Sequence, residues 1–141
     1  MDVRDALRGA KEVLLNEGWC KYELVEMDGD QPRYCISGAI GLTVGGMTRD
    51  GSMPDRTNKK DWDQAMAYLN ATLQVEGSYT PSAVEFNDEV AEDVDDVVAL
   101  IDRALLRLEA PDWRLCSEHN IVHHESARCA VCMMDEELVD A

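Results

Sequence analysis

Histidine is scarce in this 141-residue chain, with three copies, all from position 119 onward, and phenylalanine occurs once. A Cys–His nucleophile pair built on Cys20 or Cys35 would therefore have to borrow an imidazole from the C-terminal segment. No apolar run approaches the roughly 20 residues that span a bilayer. The N-terminus, Met1-Asp2-Val3-Arg4-Asp5, has no apolar core of a secretory leader, so a cytoplasmic, reducing setting is the default expectation. Gly45-Gly46 is not followed by Gly-Lys-Ser/Thr, and no ordered Asp-x-Asp-x-Asp-Gly loop with a terminal Glu surrounds Asp28, Asp30 or Asp88. A phosphate-cradling loop and a calcium hand are thereby excluded. Positive charge is also short: 13 basic against 29 acidic residues leave a net charge of -16. Nucleic-acid backbones are gripped by clustered Lys and Arg, so direct nucleic-acid binding is disfavoured.

What is present is enough hydrophobic material, 45% of the chain, for a core without disulfides. The expected fold is mainly α, a helical domain over residues 1–110 with a small hairpin excursion, followed by a short zinc-stapled segment over 111–141. Residues 2–17 carry Val3, Ala6, Leu7, Ala10 and Leu14 at helical spacing, with Asp2 as cap and Gly18 past the last turn. Tyr22, Leu24 and Val25 lead into the turn signal Asp28-Gly29-Asp30, which predicts a small hairpin or extended excursion over 21–34. The stretch from Cys35 to Val44 is short and apolar with two glycines, a buried helix held close to a neighbour. Residues 45–60 read as a loop.

A further helix is expected over 61–75, faced by Trp62, Ala65, Met66, Leu69 and Leu73 and capped by Asp61. Residues 78–91 read as a connection. The clearest stripe is 93–108, with Val94, Val97, Val98, Ile101, Ala104, Leu105 and Leu108 on one side. Asp93, Asp95 and Asp96 crowd its first turn, where acids suit the helix dipole. From Glu85 to Glu109 there are nine acids against Arg103 and Arg107. Asp93, Asp95 and Asp96 are thus a candidate interaction surface as well as a solvated helix end.

After Pro111 comes the one constellation with defined chemistry. Cys116-Ser-Glu-His119 is followed, nine residues on, by Cys129-Ala-Val-Cys132. Two such pairs, each gripping from a tight turn, can close a tetrahedron around zinc, and in a reducing setting clustered thiols favour metal over disulfide. Four protein ligands leave no open coordination position, so the ion would be structural. His123 and His124 are alternative donors for the fourth position. A tail this small gains much of its stability from such an ion. Arg114 and Arg128 face seven acids from Asp112 onward, which favours protein docking over phosphate contact.

Three further segments carry a resemblance: Gly18-Trp19-Cys20, Cys35-Ile36-Ser37-Gly38-Ala39, and Phe86-Asn87-Asp88 ahead of the last helix. In this order, over roughly residues 2–108, they are similar to a family of small uncharacterised proteins of actinobacteria and their phages. The cysteine-rich tail departs from that pattern. The resemblance implies origin more than mechanism; the acidic and zinc-loop surfaces give the expectation of an accessory protein whose partner is a host or phage protein. The residues themselves suggest structural duty, with Gly18 capping, Trp19 packing under the first helix, Gly38 and Ala39 allowing close helix contact, and Asn87 and Asp88 starting the last helix. Enzyme signatures are lacking, and a non-enzymatic role is expected. The alternative is a regulator of nucleic-acid transactions, acting by tail contact or by acidic mimicry.

Overall fold

The computed structural model describes residues 2–52, 58–80, 82–109, 113–115 and 122–124, the last two segments as backbone. Helix α1 (Val3–Asn16) begins where the Asp2 carboxylate accepts from the Arg4 N–H at 3.0 Å. Its stripe buries Ala6, Leu7, Ala10 and Leu14. The chain then reverses through Gly18, whose φ of +130° suits a residue without Cβ. Strands β1 (Val25–Asp28) and β2 (Gln31–Tyr34) pair antiparallel, with Val25 opposite Tyr34 and Asp28 opposite Gln31. The turn between them runs through Gly29 at φ +66°.

Helix α2 (Ile36–Thr43) is apolar almost all round, as an element placed at the centre must be. It packs against α1 and against α3 (Lys59–Val75), and α5 (Val94–Glu109) lies on both α1 and α3. Leu7, Leu14, Ile36, Ile40, Leu69, Leu73, Val97, Leu100 and Ile101 fill the space between them. The α1–α5 pair is antiparallel: Arg4 donates to the Leu108 carbonyl at 2.9 Å, while a helical stretch away Lys11 meets Asp102 at 2.8 Å. The Arg4 contact satisfies a carbonyl at the open C-terminal end of α5. The chain is thus mainly helical with a small two-stranded hairpin, as its patterning predicts, and no helix among the described residues is long and apolar enough to cross a membrane.

Three expectations need correction. The residue at the cap of α3 is Asn58, with no side-chain cap bond, and Asp61 lies in the first turn. Residues 83–90, read as a connection, form a short helix α4 (Ala83–Glu85) and a π-helical turn (Phe86–Val90), closed by Ala91 N–H on the Phe86 carbonyl at 2.8 Å. Asn and Asp favour loops locally, but here the Asn70 side chain accepts from the Ala83 N–H at 2.7 Å and starts the turn from a distance. The last helix starts at Asp93, not at Asn87-Asp88. Asp93 accepts from the Asp96 N–H at 3.1 Å, and Asp96 in return accepts from the Glu92 N–H at 2.9 Å.

In the tail, β3 (Trp113–Leu115) and β4 (Val122–His124) pair antiparallel, and the backbone of β4 runs close to α3.

The close approaches at the glycines of α2 differ from the expected helix contact at Gly38. A Cβ at Gly38 would stand 2.1 Å from the Leu24 carbonyl oxygen, so it is the hairpin entry that comes this near. Helix–helix contacts are made at Gly41, with the Trp62 ring 2.6 Å from its hypothetical Cβ, and at Gly9 of α1, with the Thr43 side chain of α2 at 2.3 Å. Gly38→Ala must move backbone and should lower unfolding free energy by about 1–3 kcal/mol. Gly29→Asn, on an open turn that Asn tolerates, should change it far less. Urea denaturation of both variants checks the pair.

Candidate functional site

The three short segments singled out in the sequence meet at one side chain. Asn87 is fully buried within the π-helical turn. Its Oδ1 accepts from the Trp19 indole N–H at 2.7 Å and from the Ile36 backbone N–H at 3.0 Å. Its Nδ2 donates to the Cys20 carbonyl at 3.1 Å and to the Asp88 carboxylate at 3.0 Å. One amide therefore joins the loop after α1, the first turn of α2 and its own neighbour. Trp19 does pack against the core, but its polar edge points at Asn87.

Asp88 continues the network outward. The same oxygen that Asn87 orients accepts from the Tyr22 N–H at 2.8 Å. Tyr22 has φ +72°, the sole non-glycine with positive φ among the described residues, and its side chain is 67% exposed. Lys21, beside it, holds its ammonium 5.5 Å from the centre of the Trp19 ring. The sequence contains an Asn-Asp pair but no local signal for this conformation at Tyr22, whose N–H finds its partner 66 residues away.

Cys20 and Cys35 flank the hub. The Cys20 N–H donates to the Tyr34 carbonyl at 3.1 Å, and its thiol lies 3.3 Å from the Glu23 carbonyl. Cys35 caps α2: its sulfur accepts from the Gly38 N–H at 3.3 Å. Burial pushes the Cys20 thiol up to about 12, helped by the nearness of Cys35, Glu26 and Glu23. Burial likewise raises the Cys35 thiol, against the lowering effect of the Gly38 N–H. A helix N-terminus can acidify a thiol; at Cys35 desolvation outweighs it. Neither sulfur is a thiolate at neutral pH.

Among the other candidate residues, Asp93, Asp95 and Asp96 are exposed at the start of α5, two of them engaged in its cap. Cys116, His119, Cys129 and Cys132 lie outside the described residues. His123 and His124 fall in β4, described only in backbone, opposite Arg114 and Trp113. Among the described residues no three His, Cys, Asp or Glu side chains are grouped to hold a metal ion.

Truncating Asn87 would strand the Trp19 and Ile36 N–H groups and the Cys20 carbonyl in the interior. Each unmet buried group costs about 1–3 kcal/mol, so Asn87→Ala should lose at least ~3 kcal/mol in denaturant unfolding. The thiols give a pH dependence of defined sign. Their folded values stand above the ordinary 9.0, so the unfolded chain ionises first. The Cys20 contribution to stability is whole below pH 9.0 and is lost as pH rises toward about 12, and that of Cys35 falls in the same direction. Urea midpoints should fall over that window, and alkylation mapped by mass should be far slower at Cys20 and Cys35 in native than in unfolded protein.

No curated protein and no solved structure matches the chain. A family model does match, over residues 1–107, covering the helical part with the Asn87 hub. The chain belongs to DUF6197, a family of unknown function.

Proposed function

We propose that the chain is a non-enzymatic accessory protein that binds another protein, of phage or host, through its acidic and zinc-loop surfaces. The observation that carries this reading is how the hub's polar chemistry is used. All four bonds of Asn87 go to the chain itself, and both thiols beside it are buried and protonated. What the molecule offers to solvent is carboxylate. A net charge of -16 suits a basic protein and repels phosphate.

In the tail, Cys116, His119, Cys129 and Cys132 are the ligands of a structural zinc, with His123 or His124 as substitutes for His119. The donor set is soft thiolate plus imidazole, which suits zinc. Cys116 and His119 fall in sequence between the paired strands β3 and β4. The ion would supply folding free energy to the tail and no reaction step. The same negative charge favours a second reading, in which the bound protein is itself a DNA-binding enzyme that the acidic surface occupies in place of nucleic acid.

Elemental analysis of protein purified without chelator should find about one zinc per chain, and Cys129→Ala/Cys132→Ala protein should contain none. Affinity capture from an actinobacterial lysate should retrieve a partner with the intact protein and much less with the double variant. Equal retrieval by both would remove the zinc loop from the docking role. Displacement of the partner by duplex DNA would favour mimicry.

A further inference from the structure

Tyr22 occupies a backbone position that asks for glycine. At φ +72° a Cβ is disfavoured, and an asparagine or glycine would form the same bend with less strain. The backbone there is not loose: its N–H is fixed to Asp88, which is fixed to the buried Asn87. The aromatic ring supplied at this costly position is 67% exposed and contributes nothing to the core. Strain of this kind collects where a side chain is presented for use.

The surroundings state which ligand would use it. Glu23 follows Tyr22 directly, Glu26 lies in β1 just beyond it, and both are exposed; the Asp88 carboxylate accepts from the Tyr22 N–H at 2.8 Å. Chain adjacency and that hydrogen bond place carboxylates on both sides of the Tyr22 backbone. Val90, two residues past Asp88, adds an exposed apolar side chain. The nearby cation Lys21 sits over Trp19, and Arg33 pairs with Asp28 at 2.5 Å. An electron-rich ring flanked by carboxylates is complementary to guanidinium and ammonium groups.

We infer that Tyr22 is the anchor of a docking surface for an arginine- and lysine-rich segment of another protein, with Glu23, Glu26 and Asp88 as its acidic rim. This rests on the proposed protein-binding role and names the surface and the partner's chemistry. The guanidinium stacks on the Tyr22 ring while neighbouring cations meet the rim. Asn87 acts as a positioning residue, holding Asp88 and through it the Tyr22 backbone.

The test uses the full-length, isotope-labelled protein and a short synthetic peptide of Arg-Ala repeats, with a citrulline-for-arginine version as control. Amide shifts should concentrate at residues 21–26 and 88–90 with the arginine peptide and be absent with the citrulline one. Tyr22→Gly keeps the net charge and the N–H to Asp88 and relieves the strained φ. It should weaken binding about tenfold, the effect of losing one aromatic anchor, while its thermal midpoint stays equal or rises. Glu23→Gln/Glu26→Gln should weaken binding further and flatten its salt dependence. Unchanged affinity in Tyr22→Gly, or shifts concentrated at Asp93–Asp96 or in the tail, would overturn the Tyr22 anchor while leaving protein docking intact. No shift with the arginine peptide would overturn both the anchor and the basic partner, and partner capture would still decide the broader reading by itself.

Discussion

A single buried amide holds the parts of this molecule in place. Asn87 combines two acceptor and two donor directions in one rigid plane, and the protein uses all four on groups that are themselves fixed. Neither an aspartate, which lacks the donors, nor a leucine, which lacks both, could serve Trp19, Ile36 and Cys20 together. The wide π-helical turn is part of the same solution. Closure from Phe86 to Ala91 sets Asn87 inward and leaves Asp88 able to reach the loop after α1. Irregular helical turns of this kind cost hydrogen-bond quality, and they persist where a side chain must be aimed.

From that point the position of α2 follows. Its first N–H is held by Asn87, its Gly38 is pressed against the Leu24 carbonyl, and its Gly41 lies under the Trp62 ring. Trp62 in turn donates to the Ser37 hydroxyl at 3.1 Å. A helix fixed at its first turn and in its middle can act as the post on which α1 and α3 stack. Cys35 suits the cap of such a post. Sulfur is a weaker acceptor than the oxygen of Ser or Asp, but it enters an apolar site at lower cost, and there its acidity is suppressed rather than raised.

Those elements that depend on nearest neighbours were readable from sequence alone. The stripes of α1, α3 and α5, the Asp2 cap and the Asp28-Gly29-Asp30 turn each encode themselves within a few residues, and each is present. Asn87 and Asp88 misled for the opposite reason. Their local tendency is to bend the chain and start a helix, whereas their partners are Trp19, Cys20, Tyr22 and Ile36, all more than 50 residues away. The positive φ of Tyr22 has no sequence signature, and the partner of its N–H, Asp88, is remote in the chain. Zinc spacing is a local code like a helix stripe, and its four residues lie outside the described residues.

The distribution of charge decides how such a molecule could recognise anything. Among the described residues several cations are committed internally: Lys11 to Asp102, Arg49 to Glu17, Arg103 to Glu76, Arg33 to Asp28 and Lys59 to Asp63. Even if all 13 basic residues were paired, 16 of the 29 acids would be left over. That surplus repels phosphate from every side, but it does not choose a partner. At about 0.1 M salt the field of exposed charges fades within roughly 10 Å, so a diffuse excess supplies solubility and little specificity. Specific recognition needs a fixed feature inside that range, with some surface to desolvate. The loop at Tyr22 has both: an exposed ring, and a backbone held by a chain of hydrogen bonds that ends in the core. The buried amide that orders the helices is therefore also what would make an acidic surface selective, because it holds one aromatic still among the carboxylates.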